Sequence, residues 1–145
     1  MFNKDLGTIK DQLLRDEGKV PYAYTDSEGY LTIGVGRLID NAKGGRLRDD
    51  EIDLMLSNDI DDVTRSLHAR LDWFDSLDDA RKGVLINMAF NLGVNGLLGF
   101  RKTISMIERG DYKGASVEML DSKWARQVKG RATRLSEQMR TGEWV

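Results

Sequence analysis

The sequence predicts an α+β fold, mostly helical, in which a small N-terminal lobe with a β-hairpin is joined by one long helix to a larger helical lobe. Three observations predict it: a helical repeat at the start, an alternating segment over residues 22–36, and apolar residues at helical spacing through most of the remainder. The chain has 145 residues, 40% of them hydrophobic and 32% charged. It is therefore long enough to bury a hydrophobic core.

The first element is a helix predicted over residues 4–17. Asn3 can cap its start and Gly18 can end it, so Glu17 lies in its last turn. Its apolar residues recur at helical spacing: Leu6, Ile9, Leu13 and Leu14. We expect this helix to pack on the larger helical lobe.

The second element is a β-hairpin over residues 22–36, because apolar residues alternate there with small or polar ones. Residues 26–29, with the sequence Asp-Ser-Glu-Gly, are typical of a turn. In extended strands, Tyr24 and Asp26 share a side, and Thr32 can face the same space from across the turn. One face of the second strand carries the apolar residues Leu31, Ile33 and Val35. The other face carries the small or polar residues Tyr30, Thr32, Gly34 and Gly36.

Helical patterns fill the rest of the chain after a glycine-rich loop at residues 41–45. A segment that resembles a capping box, Ser76 to Asp79, precedes a buried helix that ends at Gly93. Between the loop and Ser76, the pattern predicts a long amphipathic helix. The predicted parts are a small lobe over about 18–48, a connecting helix over about 49–71 and a helical lobe over about 72–145.

The composition excludes several kinds of site. The chain has no cysteine and one histidine, His68, which disfavours disulfides, cysteine-ligated zinc and a Ser-His-Asp triad. An acidic cluster at residues 59–62 lies in a helical pattern without the glycine of a calcium loop. We therefore expect no metal and no cofactor. The cations near Trp124 match no recognised nucleic-acid motif, so nucleic acid is not an expected partner.

Charge is unevenly distributed along the chain. The net charge is −2, but residues 1–100 carry 12 Lys+Arg against 18 Asp+Glu, whereas residues 101–145 carry 10 against 6. The basic last third can face an anionic polymer, or it can be a solvated helical face. The sequence has no run of 18 apolar residues and no signal-peptide core. We therefore expect synthesis in a cytoplasm and no stable membrane association.

Glu17 is a candidate general acid, because a carboxylate at the C-terminal end of a helix faces the negative end of the helix dipole, which favours its protonated form. Asp26 and Thr32 add a second carboxylate and a hydroxyl. Together these groups can cleave a glycosidic bond by protonating the leaving oxygen and positioning water. Taken singly, Glu17 also fits an ordinary surface glutamate, and Asp26 fits a turn residue.

These three residues and their surroundings resemble the signature of the T-even phage lysozymes, glycoside hydrolase family 24. That signature is Glu, eight residues, Asp, five residues, Thr, and here it falls on Glu17, Asp26 and Thr32. The resemblance covers nearly the whole chain. The matching segments are 15–18 (RDEG), 24–36 (YTDSEGYLTIGVG), 75–78 (DSLD), 86–91 (INMAFN), 99–100 (GF) and 140–144 (RTGEW).

The resemblance implies a two-lobed, cofactor-free endolysin that hydrolyses the β-1,4 bond between N-acetylmuramic acid and N-acetylglucosamine in peptidoglycan. It implies that Glu17 is the proton donor, that Asp26 orients the attacking water, and that Thr32 helps to hold that water. Arg131 would be the cation near Glu17, and the enzyme is expected to invert. The implied substrate-contacting residues are Leu38, Phe90, Thr103 and Glu118.

This sequence departs from the family pattern at three places. Arg37 occupies the position of the usual histidine, and we expect it to pair with Asp59, which stands where that histidine's acidic partner is found. Glu118 replaces a residue that is typically an amide. The stretch after Arg37 is shorter than in the T-even enzymes, so an accessory helix is expected to be missing. No departure removes a catalytic group.

Two other functions stay open. A lytic transglycosylase needs the acid but neither Asp26 nor the water, and a non-catalytic peptidoglycan-binding or membrane-perturbing protein would act through the basic last third. The intact set of Glu17, Asp26 and Thr32 argues against both. We expect a monomeric bacteriolytic enzyme of a bacteriophage that reaches the periplasm and cell wall after a holin has permeabilised the inner membrane.

Overall fold

The computed structural model of this chain describes residues 2–39 and 46–145, with side chains described from residue 9 onward. The chain divides into two compact units, Met1–Leu54 and Met55–Val145. The first unit contains a helix and a small antiparallel sheet, and the second is helical. The predicted α+β class, mostly helical, is therefore confirmed. The loop predicted at residues 41–45 lies outside the described residues.

The first helix, α1, spans Phe2–Glu17, which confirms the predicted helix and its end. Because it begins at Phe2, Asn3 lies within the helix and is not its N-cap. It ends at Gly18, which has φ +77° and whose N–H donates to the Leu14 carbonyl over 3.1 Å. Glycine adopts this left-handed backbone at low cost, and so it is the usual residue at a helix end. Glu17 consequently lies in the last turn. The packing of α1 on the helical lobe stays a prediction.

The sheet has three antiparallel strands, and β2 is the central one. In the paired register, Tyr24 lies opposite Thr32, and Thr32 lies opposite Leu38. The predicted hairpin is confirmed, but the sequence did not indicate the third strand, because two residues are too few for an alternating pattern. The strands are β1 (Val20–Thr25), β2 (Leu31–Gly34) and β3 (Arg37–Leu38).

The long helix α2 spans Asp49–Arg70, close to its predicted bounds, and continues from the first unit into the second. Its first turn is acidic, which suits the positive end of the helix dipole. Glu51 also accepts a hydrogen bond of 2.9 Å from the Arg48 N–H. This contact satisfies one of the N–H groups that a helix start leaves without a partner.

Six further helices build the second unit around one hydrophobic core. α6 packs against α5 and α8, and α3 packs against α4 and α8. The helices are α3 (Asp79–Leu92), α4 (Val94–Leu98), α5 (Arg101–Glu108), α6 (Tyr112–Leu120), α7 (Lys123–Val128) and α8 (Gly130–Thr141). The largest fully buried side chains include Leu67, Phe74, Leu85, Met88, Leu97, Ile107, Met119 and Met139.

The start of α3 differs from the predicted capping box. Asp78, not Ser76, is the N-cap, and its carboxylate accepts from the Arg81 N–H over 3.1 Å. Ser76 instead ends a 3₁₀ turn over Phe74–Ser76, where its hydroxyl donates to the Trp73 carbonyl over 2.6 Å. The turn inserts Phe74 into the core, where it is 1% exposed. Core packing therefore moves the helix start beyond Ser76.

Within the described residues, no helix combines the length and the apolar content needed to cross a bilayer. In the same residues, no group of three or more histidine, aspartate or glutamate side chains is arranged to hold a metal ion.

Lys129 joins α7 to α8 in a backbone conformation that is unfavourable for an L-residue, with φ 49° and ψ −110°. Replacing Lys129 by glycine should therefore stabilise the protein by about 1 kcal/mol. Urea unfolding would measure this gain. The control is Lys113→Gly, at a helical position of α6, which should instead destabilise. A lower urea midpoint for Lys129→Gly than for the wild type would contradict the prediction.

Candidate active site

Glu17 lies beside the turn between β2 and β3. A Cβ atom built on Gly36 would come within 2.5 Å of Glu17 Oε2, 3.0 Å of its Cδ and 3.2 Å of its Cβ. The absence of a side chain at Gly36 therefore makes room for the carboxyl group. The Glu17 side chain is otherwise exposed, so water and a ligand can reach it.

Asp26 is held firmly by the hairpin turn. Its Oδ1 accepts from the Glu28 N–H over 2.9 Å and from the Tyr30 N–H over 2.8 Å. Its own N–H donates to the Tyr30 carbonyl over 2.8 Å. Asp26 is therefore a turn residue, as one interpretation of the sequence had it, and an oriented carboxylate as well. No hydrogen bond to Oδ2 occurs within the residues described.

Thr32 is the most buried residue of β2, at 4% exposure, although its neighbours in sequence are apolar. Its position opposite Tyr24 directs both side chains to the same face of the sheet, and Asp26 follows Tyr24 by two residues. The Thr32 hydroxyl donates to the Tyr30 carbonyl over 3.2 Å. This bond uses its proton and leaves lone pairs on the oxygen as acceptors.

Arg37 binds an acidic partner other than the predicted one. Its guanidinium forms a two-point contact with Glu51, with Nη1 to Oε2 at 2.6 Å and Nη2 to Oε1 at 2.8 Å. The expected partner, Asp59, lies eight residues further along α2, about 12 Å along the helix axis. Glu51 lies in the first turn of α2, within the same unit as β3, whereas Asp59 belongs to the second unit. The pairing of Arg37 with Asp59 stays a prediction.

The pKa of Glu51 is below its usual range, first because of the hydrogen bond from the Arg48 N–H and second because of the one from the Arg37 guanidinium. A carboxyl whose folded pKa is lowered adds stability above its unfolded pKa and loses it as pH falls through the folded value. Arg37→Gln should thus lower the urea midpoint at pH 7 but have little effect once Glu51 is protonated. In a Glu51→Gln background, a pH-dependent effect of Arg37→Gln would contradict this explanation.

Leu38 is the predicted substrate-contacting residue of the first unit. It lies on the edge strand β3 and is 42% exposed. It lines a cavity of about 580 Å³ together with its neighbour Arg37 and with residues 46–49. The C–H face of a sugar ring can pack on such an accessible apolar side chain beside polar groups.

Thr103 and Glu118, both predicted substrate contacts, line one cleft of the second unit, which has a volume of about 580 Å³. Its floor includes Trp124, which is 3% exposed and whose ring edge packs on Phe100 with centroids 6.1 Å apart. The Trp124 indole N–H donates to Asn91 Oδ1 over 3.0 Å. Charged residues of both signs surround this aromatic floor: Arg101, Lys102, Lys123, Glu118 and Asp121.

Phe90 and Arg131 line a second cleft of this unit, of about 380 Å³. Phe90 is 46% exposed. Arg131 is oriented by Asn87, because its Nε donates to Asn87 Oδ1 over 2.9 Å and its Nη2 donates to the Asn87 carbonyl over 3.3 Å. The predicted nearness of Arg131 to Glu17 stays a prediction.

Several residues that contribute to these sites are not predicted from the sequence. The alternating pattern marks Gly36 as one of the small residues of the hairpin, and it does not mark Glu51. A signal for Glu51 existed, since a glutamate three residues after a helix start often accepts from the first N–H groups. Asn87 and Asn91, which orient Arg131 and Trp124, gave no signal, because their partners lie 44 and 33 residues away in sequence.

This chain is similar in sequence to lysozymes of the phage type. A sequence model described as phage lysozyme matches residues 15–140. Probable T4-type lysozyme 1 of Dictyostelium discoideum is 31% identical over 163 aligned positions, covering 94% of this chain and 96% of that protein. Probable T4-type lysozyme 2 of the same organism is 26% identical at similar coverage. Both alignments exceed the 145 residues of this chain, so these relatives have residues that it lacks.

A relative of different size is the pre-baseplate central spike protein Gp5 of Enterobacteria phage T4, which is 30% identical over 161 positions. That alignment covers 93% of this chain but 28% of the spike protein. The similarity therefore concerns one part of a much longer protein.

Proposed function

This chain belongs to the phage lysozyme family, and we propose that it hydrolyses the β-1,4 bond between N-acetylmuramic acid and N-acetylglucosamine in peptidoglycan. Lysozymes are glycosidases, and peptidoglycan is the substrate that membership implies. The observation that carries the proposal is the grouping of Glu17, Asp26 and Thr32 in one unit, where an accessible acid accompanies a carboxylate and a hydroxyl of fixed orientation.

In the proposed reaction, Glu17 begins protonated and donates its proton to the glycosidic oxygen as the bond from that oxygen to the anomeric carbon breaks. Glu17 is the last residue of α1. The exposed carboxyl lies where a polymeric substrate can reach it. After turnover, Glu17 regains a proton from solvent.

Asp26 and Thr32 are proposed to hold the attacking water between them. A water molecule that donates one hydrogen to Asp26 Oδ2 and the other to Thr32 Oγ1 directs an oxygen lone pair away from both. The Thr32 hydroxyl suits this role, because its own proton is already donated to the Tyr30 carbonyl. As the water attacks, its proton passes to Asp26 and its oxygen bonds to the anomeric carbon.

We propose that the reaction inverts the anomeric centre. An inverting enzyme needs room for a water between its two carboxyl groups, about 6.5–9.5 Å apart. Two backbone N–H groups fix Oδ1 of Asp26, which leaves Oδ2 as the oxygen that can accept from a water molecule. NMR of the first product would show the α-anomer if the reaction inverts, and the β-anomer would contradict this proposal.

The clefts of the second unit are proposed to bind other parts of the substrate. Thr103 and Glu118 share a cleft with an aromatic floor, which suits a sugar ring or a peptide attached to it. Phe90 offers a half-exposed ring in the neighbouring cleft, and Leu38 offers an apolar side chain in the first unit. Arg131, oriented by Asn87, is proposed to stabilise negative charge near Glu17.

The biological setting is proposed separately from the chemistry. Family membership and the similarity to a T4 phage protein favour lysis of a bacterial host, in which a monomeric enzyme passes from the host cytoplasm to the cell wall through a holin lesion. Two relatives come from an amoeba, so the activity does not depend on that setting. Expression in bacteria with and without a holin would test it, and rapid lysis without a holin would contradict it.

The decisive experiment for the chemistry is mass analysis of the muropeptides that the purified protein releases from sacculi. The proposal predicts fragments with reducible N-acetylmuramic acid ends. Anhydro-muramic ends would identify a lytic transglycosylase, and reducing N-acetylglucosamine ends would identify a glucosaminidase. Release of no fragments by a folded protein would favour a non-catalytic binding function.

A further inference from the structure

We propose that Gly36 is a positioning residue for Glu17: its bare backbone is the surface against which the acid's carboxyl group is held. The inference rests on the proposed role of Glu17 and extends it to a residue of the sheet. Three atoms of the Glu17 side chain lie within 3.2 Å of the place that a Cβ atom of Gly36 would occupy. The nearest is Oε2, at 2.5 Å. Any side chain at Gly36 would therefore displace the carboxyl oxygen that donates or receives a proton.

The backbone around Gly36 is anchored at its far side. Arg37 follows directly, pairs in the sheet with Ile33, and binds Glu51 at the start of α2 through both terminal nitrogens. Because β3 is fixed in this way, the Gly36 backbone cannot easily move to relieve a clash with Glu17. The displacement would instead fall on Glu17, which is exposed and free to change rotamer.

Gly34, the last residue of β2 and two residues before Gly36, provides a matched control. Gly34 has φ +70° and Gly36 has φ +63°, so an alanine at either place suffers a comparable backbone strain. A Cβ atom at Gly34 would meet nothing within 4 Å, whereas one at Gly36 would meet Glu17. A comparison of the two alanine variants thus separates contact with the acid from backbone strain.

The experiment compares Gly36→Ala with Gly34→Ala on purified sacculi and by NMR of the Glu17 side-chain carboxyl carbon. Gly36→Ala should lower kcat by about 10²-fold relative to Gly34→Ala, because small misplacements of a reacting group have effects of that size. KM should change little.

The NMR signal separates failure of this inference from failure of the proposed function. If the Glu17 resonance and kcat are the same in both variants, the positioning role is wrong. If the resonance moves only in Gly36→Ala while kcat is unchanged, the positioning role is overturned, whereas the role of Glu17 as the acid is decided separately by Glu17→Gln. If both change only in Gly36→Ala, the inference is supported.

A double-mutant cycle keeps the test valid if Gly36→Ala folds poorly. Glu17→Ala removes the two closest of the three contacting atoms. In that background, Gly36→Ala should cost less stability than in the wild type, by the free energy that displacing Glu17 takes, and approach the cost of Gly34→Ala. Equal costs of Gly36→Ala in both backgrounds would overturn the proposed contact.

Discussion

Replacing Glu17 by glutamine is expected to lower turnover on peptidoglycan by about 10²–10⁴-fold while leaving the fold intact. Glutamine has nearly the shape of glutamate but carries no acidic proton. The side chain is exposed and makes no described hydrogen bond across the sheet, so folding should lose little. Muropeptide release measures activity, and urea unfolding measures stability.

The matched control is Glu28→Gln, in the hairpin turn of the same unit. Glu28 is exposed, and the turn uses only its backbone N–H, which donates to Asp26 Oδ1 over 2.9 Å. This variant makes the same chemical change and should keep near wild-type activity. If Glu17→Gln retained more than about a tenth of wild-type activity, the assignment of Glu17 as the general acid would be wrong.

Replacing Arg81 by alanine is expected to produce the largest loss of stability, about 2–4 kcal/mol. The Arg81 side chain is only 14% exposed, and its Nε donates to the Met139 carbonyl over 2.7 Å. Its Nη2 donates to the Arg140 carbonyl over 3.0 Å. These carbonyls lie in the last turn of α8, where a helix has no N–H partners of its own.

Two further contacts add to the role of Arg81. Its Nη1 donates to Asp78, the N-cap of α3, over 3.1 Å, and its guanidinium carbon lies 3.6 Å from the centre of the Tyr112 ring. One side chain therefore joins the start of α3, the end of α8 and the first residue of α6. Removing it leaves two carbonyls and one carboxylate without that donor.

Urea unfolding of Arg81→Ala, Arg81→Lys and Arg126→Ala tests this explanation. Arg81→Lys should lose nearly as much stability as Arg81→Ala, because an ammonium group cannot supply the same planar set of donors. Arg126 is exposed on α7 and makes no side-chain hydrogen bond or ion pair within the described chain, so its loss should have little effect. Arg81→Lys stability close to wild type would contradict the three-point role.

Local sequence patterns were sufficient to determine the elements that carry the candidate acid and carboxylate. The helical repeat and Gly18 located the end of α1 and hence Glu17, and turn residues located Asp26. Spacing alone also paired Thr32 with the correct face of the hairpin. These features are set by interactions between residues close in sequence, such as helix capping and strand alternation, so the sequence reveals them directly.

Partner choice, in contrast, was decided only by the tertiary structure. Arg37 binds Glu51, and the space beside Gly36 is occupied by Glu17. In the same way, a Cβ atom on Gly83 would lie 2.5 Å from the Trp144 ring. Each of these contacts joins residues from different elements. Their geometry depends on how the elements pack, and no spacing within one element encodes it.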